Sequence, residues 1–237
     1  MRRLPEGPGA HLFGYPLRSP LGVAAGPLLN SKWVEGYARL GFDVLTYATV
    51  RSRPVIAHSL PNIRHVDARE QIAIASRRPS GDGDATLAVS LGLPSVEPDV
   101  WRRDVRRAKE RLGQGQILVV SVVGTSDPAD GPDPFIADYV RCAEWAAEAG
   151  ADVVEVHLAV PNPFGEPGQM VYEHVALSAR ILYRVRTSIP VPVVAKFGLF
   201  KSPRALHKLR RVVKGETSVL RCLPTCYPTR SYVQYPR

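Results

Sequence analysis

The chain has 237 residues, 45% of them hydrophobic, and a formal charge of +9 from 31 Lys and Arg against 22 Asp and Glu. That is enough to bury one sizeable core, and no apolar stretch is long enough to span a bilayer. Three cysteines (Cys142, Cys222, Cys226) do not make a disulfide scaffold, and "CLPTC" has no neighbouring histidine or acid to complete a metal site.

The N-terminal "MRRLPEGPGAHLFGYPLRSP" is basic but has no apolar segment of signal-peptide length. A cytoplasmic protein is therefore expected. "LGVAAG" (21–26) is predicted as a short buried strand, and "SKWVEGYARLG" (31–41) as a helix capped by Asn30 or Ser31 and stopped by Gly41. "DVLTYATV" (43–50) is a second strand. Residues 51–98, rich in Pro, Gly, Ser and Asp, follow as a long irregular insertion, the usual form of a lid or binding loop.

Asp99 is expected to cap a basic helix over 100–112. "QILVVSVVG" (116–124) is the third strand. "DPFIADYVRCAEWAAEAG" (133–150) is a helix capped by Asp133 and stopped by Gly150, with Cys142 in its core face. "ADVVEVHLAV" (151–160) is the fourth strand, 168–188 a long helix, "VPVVAKFGL" (191–199) the fifth strand, and 202–215 the fifth helix. Beyond Gly215 neither period persists, so 216–237 reads as an irregular tail to a single domain over 1–215.

The net charge could serve nucleic acid, an acidic surface or an anionic small ligand. The basic residues, however, concentrate in "WRRDVRRAKERLG" and "RALHKLRRVVKG", where apolar residues recur at helical spacing. A solvated outer helix face is the simpler reading, so neither a nucleic-acid partner nor a membrane is expected.

Alternating buried strands and helices predict a parallel sheet covered by helices. "AAGPLLNSK" lacks the GxGxxG of a doubly wound dinucleotide fold. Polar or small residues recur instead at the carboxyl ends of the strands: Gly26 and Asn30, Thr46 and Thr49, Ser121 and Gly124, His157 and Asn162, and Lys196. A site gathered from several strand ends is the pattern of a (β/α)8 barrel. Five βα units are present, so the expected fold is an incomplete TIM-type barrel with a long insertion after strand two. Such a fragment would leave two open sheet edges and an uncovered core, which a second copy could cover.

"SPLGVAAGPLLNSKWVEGYARLGFDVLTYATVRSRP", "LAVSLGLPS", "ILVVSVVGTS", "ADVVEVHLAVPN" and "PVVAKFG" follow one another in an order that resembles the FMN-binding barrels of dihydroorotate and dihydropyrimidine dehydrogenases. The resemblance covers roughly residues 18 to 200. It implies an FMN-dependent oxidoreductase of pyrimidine metabolism acting on a small dihydropyrimidine such as dihydroorotate. It also implies that Ala24, Ala25 and Gly26 form the small-residue turn at the flavin. Asn30 and Ser31 would lie near flavin contacts. Thr49, Ser121, His157 and Lys196 would bind the cofactor, and Asn162 would bind substrate.

The chain departs from the family pattern at four positions. Ala48 stands where the family has lysine, and Val89 where the mobile loop has asparagine. His157 replaces an asparagine, and Val160 occupies the position of the Cys or Ser base. Valine cannot accept a proton, and loss of a general base costs about 10²–10⁴ in rate. His157 is the candidate replacement base, and the alternative function is a degenerate relative without turnover. The implied phosphate grip lies in strands seven and eight, beyond the five units found, which together with the tail fits a truncated or frame-altered coding sequence.

Overall fold

The structure is a computed structural model that describes residues 9–67, 73–74, 86–125, 127–198, 200 and 202–212. In chain order it contains β1 (Ala10–Leu12), β2 (Tyr15–Leu17), β3 (Gly22–Val23), α1 (Ser31–Arg39), β4 (Val44–Val50), β5 (Ile63–Asp67), β6 (Ala73–Ile74), β7 (Thr86–Val89), α2 (Pro98–Glu110), β8 (Ile117–Val122), α3 (Pro132–Glu148), β9 (Val153–His157), α4 (Val175–Ser188), β10 (Val193–Lys196) and α5 (Pro203–Val212). Short 3₁₀ turns occupy Pro128–Asp130 and Val171–Glu173.

Five strands form one parallel sheet in the order β10-β9-β8-β4-β3. Each sits beside its predecessor in the chain, with the helices packed on one face, as expected of an incomplete α/β barrel. The strands are near-continuous apolar runs because both faces are covered. Val154, Val156, Leu118, Val120, Val122 and Leu45 join the helix-side core. Their alternate neighbours Ile117, Val119, Val153 and Val194 face inward.

The N-terminal segment supplies an element that its composition did not announce. β1 and β2 form an antiparallel hairpin. Leu12, Phe13, Tyr15 and Leu17 from this hairpin pack on Ile117, Val119, Val153 and Val194. The hairpin thus plugs the amino-terminal end of the inner face. The expected uncovered core is corrected here: this layer of the interior is buried. Among the described residues the sheet ends at β3 and β10, its two edges, as expected.

The insertion is not wholly irregular. β6, β5 and β7 form a three-stranded antiparallel sheet, and Val55 bridges to Ser95. Their shortness and the flanking Pro and Gly concealed them.

The helix starts also shift. Asn30 caps α1, its side chain accepting from the N–H groups of Lys32 and Trp33 at 3.1 and 3.2 Å. α2 begins at Pro98 after Glu97, so Asp99 lies inside the first turn rather than capping it. α3 begins at Pro132 after Gly131, which places Asp133 one step inside. Both prolines sit at the first helical position, where no N–H is needed. α4 starts at Val175 rather than 168, because residues 162–170 close into their own turn and His174 takes the cap. Gly41 and Gly150 end α1 and α3 at φ of 98° and 104°, a region that favours glycine. The tail, Cys222 and Cys226 lie outside the described residues.

Candidate functional site at the strand ends

The inner face changes character toward the carboxyl ends of the strands. Ser121 shares the face of Val119, Glu155 and His157 that of Val153, and Lys196 that of Val194. Thr49 joins them through an irregularity in β4. The register pairs Tyr47 with Val120 but Val50 with Val122, so the β4 side of this stretch holds one extra residue. That bulge reverses the parity beyond Tyr47. Thr49 turns inward, and Val50 packs in the helix-side core. Ala48, the bulged residue, donates its N–H to the Leu28 carbonyl at 2.9 Å.

Three of the expected cofactor residues come together. Thr49 Oγ1 lies 2.9 Å from Ser121 Oγ and 3.3 Å from His157 Nδ1, all three residues buried. Tyr139 donates its hydroxyl to the His157 carbonyl at 2.8 Å, which fixes the strand end from the helix side. Burial, then the nearby Lys196 and Arg51 cations, push the His157 pKa down to about 3. The imidazole is therefore neutral at physiological pH. An imidazole whose conjugate acid is that strong is a poor general base near pH 7.

Lys196 Nζ lies 3.4 Å from Glu155 Oε1, and the two side chains are only 12% and 8% exposed. Ala25 is buried, and Gly26 is exposed. A Cβ at Gly26 would meet no atom within 4 Å among the described residues, so neither crowding by them nor backbone strain requires glycine there. Gly124 is different. A Cβ there would lie 2.5 Å from the Tyr139 ring, so this glycine serves the approach of α3 to β8.

Several residues expected near the ligand have partners within the protein. The Asn162 amide donates to Gln169 Oε1 at 2.8 Å, while its oxygen accepts from the Phe164 N–H at 3.1 Å. It braces the loop after β9. Ser31 gives both its N–H and its hydroxyl to Asp104 at 2.7 Å, and Tyr47 donates to the same carboxylate at 2.8 Å. That cluster locks α1, α2 and β4 together on the helix side. Val160 is buried in the main core, its carbonyl accepting from the Val171 N–H. Val89 is exposed and pairs with Ile63 in the insertion sheet.

Two further charged residues were not anticipated. Arg51, just past β4, donates to the Leu93 carbonyl at 3.0 Å and to Thr125 Oγ1 at 2.7 Å. It ties the end of the insertion to the end of β8, and burial lowers its pKa. Glu155 was readable only as an acid interrupting "VVEVH". Among the described residues no group of His, Cys, Asp and Glu could hold a metal ion, and no helix is long and apolar enough to cross a membrane.

Five parallel strands in sequential order, with helices on one face and polar groups at the strand carboxyl ends, match part of a (β/α)8 barrel. The chain is 31% identical over 211 residues to a dihydroorotate dehydrogenase of Dictyostelium discoideum, covering 83% of this chain and 56% of that protein. It is 28% identical over 173 residues to a dihydroorotate dehydrogenase (quinone) of Rhodopseudomonas palustris, covering 73% of this chain and 40% of the relative. A third, the quinone-type protein of Stenotrophomonas maltophilia, is 25% identical over 65% of this chain and 38% of its own length. No protein-family model matches. The chain belongs to the dihydroorotate dehydrogenase family and spans about half or less of the length of the curated relatives it matches.

Proposed function

We propose that the chain is a flavin-dependent oxidoreductase of the dihydroorotate dehydrogenase type, holding the ring of FMN against the inner face at the strand ends. One observation carries this reading: a lysine, Lys196, sits nearly buried on the inner face at the end of β10. Glu155 balances this cation at 3.4 Å without taking up its N–H donors, which leaves them open to an electron-rich ligand. Lys196 would hold the electron-rich edge of the flavin. Thr49, Ser121 and neutral His157 offer hydrogen-bonding groups without adding charge. The open space at Gly26 and the small Ala25 side chain fit a flat ring passing close to the backbone. When bound, FMN would supply the acceptor for a hydride from a small dihydropyrimidine ring.

A second reading, flavin binding without dihydropyrimidine turnover, is favoured by Val160. The resemblance places this residue at the base position, and its side chain has no group that accepts a proton. The neutral, weakly basic His157 does not replace it. A cytoplasmic location and self-association through the edges at β3 and β10 complete the proposal.

The test is reduction of an acceptor dye by dihydroorotate, using FMN-loaded wild type and Val160→Cys. Turnover in the wild type supports the oxidoreductase. Turnover in the cysteine variant alone supports the second reading. FMN-loaded protein inert in both forms contradicts a dihydroorotate site.

A further inference from the structure

The inner face carries an acid to which the proposed function gives no contact with the ligand. The register of β9 and β10 pairs Glu155 with Val194 and His157 with Lys196. Lys196 therefore stands one inward layer beyond Glu155, on the neighbouring strand, and its Nζ reaches back to Oε1 at 3.4 Å. The contact has ion-pair distance, yet Glu155 Oε1, itself fully buried, has no hydrogen-bond partner among the described residues. Thr46, Thr49, Ser121 and His157, the other buried polar residues of the inner face, are uncharged at neutral pH.

Stability alone does not account for such a carboxylate. A buried ion pair with an unsatisfied oxygen is no better for the fold than a well-packed apolar pair, whereas breaking one buried partner leaves an uncompensated charge. The contact also constrains geometry. An ammonium on a four-carbon stem samples many rotamers, and one fixed carboxylate beneath it selects those that keep it on the inner face. The carboxylate holds that ammonium by charge rather than through a formed hydrogen bond, so its N–H donors remain for a ligand above.

We infer that Glu155 is a positioning residue: it anchors the Lys196 ammonium where that cation meets the flavin edge, an inference that rests on the flavin reading above. Glu155 acts through Lys196 and does not itself touch the ligand. Its removal should therefore matter only while the lysine is present.

The experiment uses the full chain as wild type, Glu155→Gln, Lys196→Gln and the double variant. FMN affinity is read by fluorescence quenching, and folding by circular dichroism. Losing a hydrogen bond to a charged group corresponds to about tenfold or more in affinity. E155Q and K196Q should each weaken FMN binding by about that factor, and the double variant should bind as K196Q does. In FMN-free protein, E155Q should also raise acetic anhydride labelling of Lys196 several-fold, a change that a purely structural role would confine to misfolded protein. If E155Q does not fold, Glu155→Met/Lys196→Met replaces the pair by apolar side chains, and it should bind FMN as Lys196→Met does. FMN binding unchanged in E155Q, losses that add in the double variant, or unchanged labelling of Lys196 each overturn the inference while leaving the flavin reading standing. A wild type that binds no FMN overturns both, whatever the labelling shows.

Discussion

Acidification should weaken this fold through His157 in particular. Its imidazole is held at a pKa of about 3 by burial and by the neighbouring Lys196 and Arg51 cations, whereas an unfolded histidine titrates near 6.5. Between those values the unfolded chain takes up a proton that the folded protein refuses. The stability contributed by the neutral histidine is therefore fully present above about pH 6.5 and is lost as pH falls toward 3. The slope is about 1.4 kcal/mol per pH unit, or roughly 2–3 kcal/mol by pH 4.5. Other groups titrate in the same window, so the informative quantity is the difference between wild type and His157→Asn, which shares them. Urea unfolding at pH 7.5, 6.5, 5.5 and 4.5 measures it. At pH 7.5 the wild type should be the more stable, because the substituted side chain loses packing and the contact to Thr49 Oγ1. That advantage should shrink by about 1.4 kcal/mol for each unit below 6.5. A difference between the two proteins that stays constant from pH 7.5 to 4.5 would rule out a buried, neutral His157 as the source of the acid sensitivity.

Other perturbations probe separate parts of the molecule. Gly124→Ala should destabilise by about 1–3 kcal/mol in thermal or urea unfolding, since its Cβ would press on the Tyr139 ring at 2.5 Å. Leu17→Ala should cost about 2–5 kcal/mol, because this side chain belongs to the buried plug under the inner face. Asn162→Ala should cost about 1–2 kcal/mol by opening the loop contacts to Gln169 and Phe164. Because its amide is engaged in the loop, FMN affinity measured by fluorescence should be unchanged in that variant. Val160→Cys should raise dihydroorotate-dependent dye reduction by about 10²–10⁴, the worth of a positioned base.

The five βα units were legible because each strand is an apolar run between helical periods, and Gly41 and Gly150 mark two helix ends in the sequence itself. What packs on the inner face was much less legible. In a strand covered on both sides, apolar residues face both ways, so "VVEVH" does not reveal that Val153, Glu155 and His157 share the interior. The inward turn of Thr49 depends on a bulge against β8, and no periodicity within β4 encodes that register change. The hairpin of β1 and β2 consists of three-residue strands, too short for an alternation to emerge. The contact of Asn162 with Gln169 was not legible, because the two are seven residues apart across an irregular loop. Lys196, by contrast, stood out as the one charge in "VPVVAKFG", and its burial follows from the strand around it.

The flavin reading stands or falls on Lys196 at the strand ends. The visible absorption spectrum of the purified chain decides it, taken after incubation with FMN and desalting, beside Lys196→Gln treated identically. A retained flavin band is expected in the wild type and a weaker or absent one in the variant. A wild type that stays colourless, or a variant that retains as much flavin as the wild type, would overturn that reading.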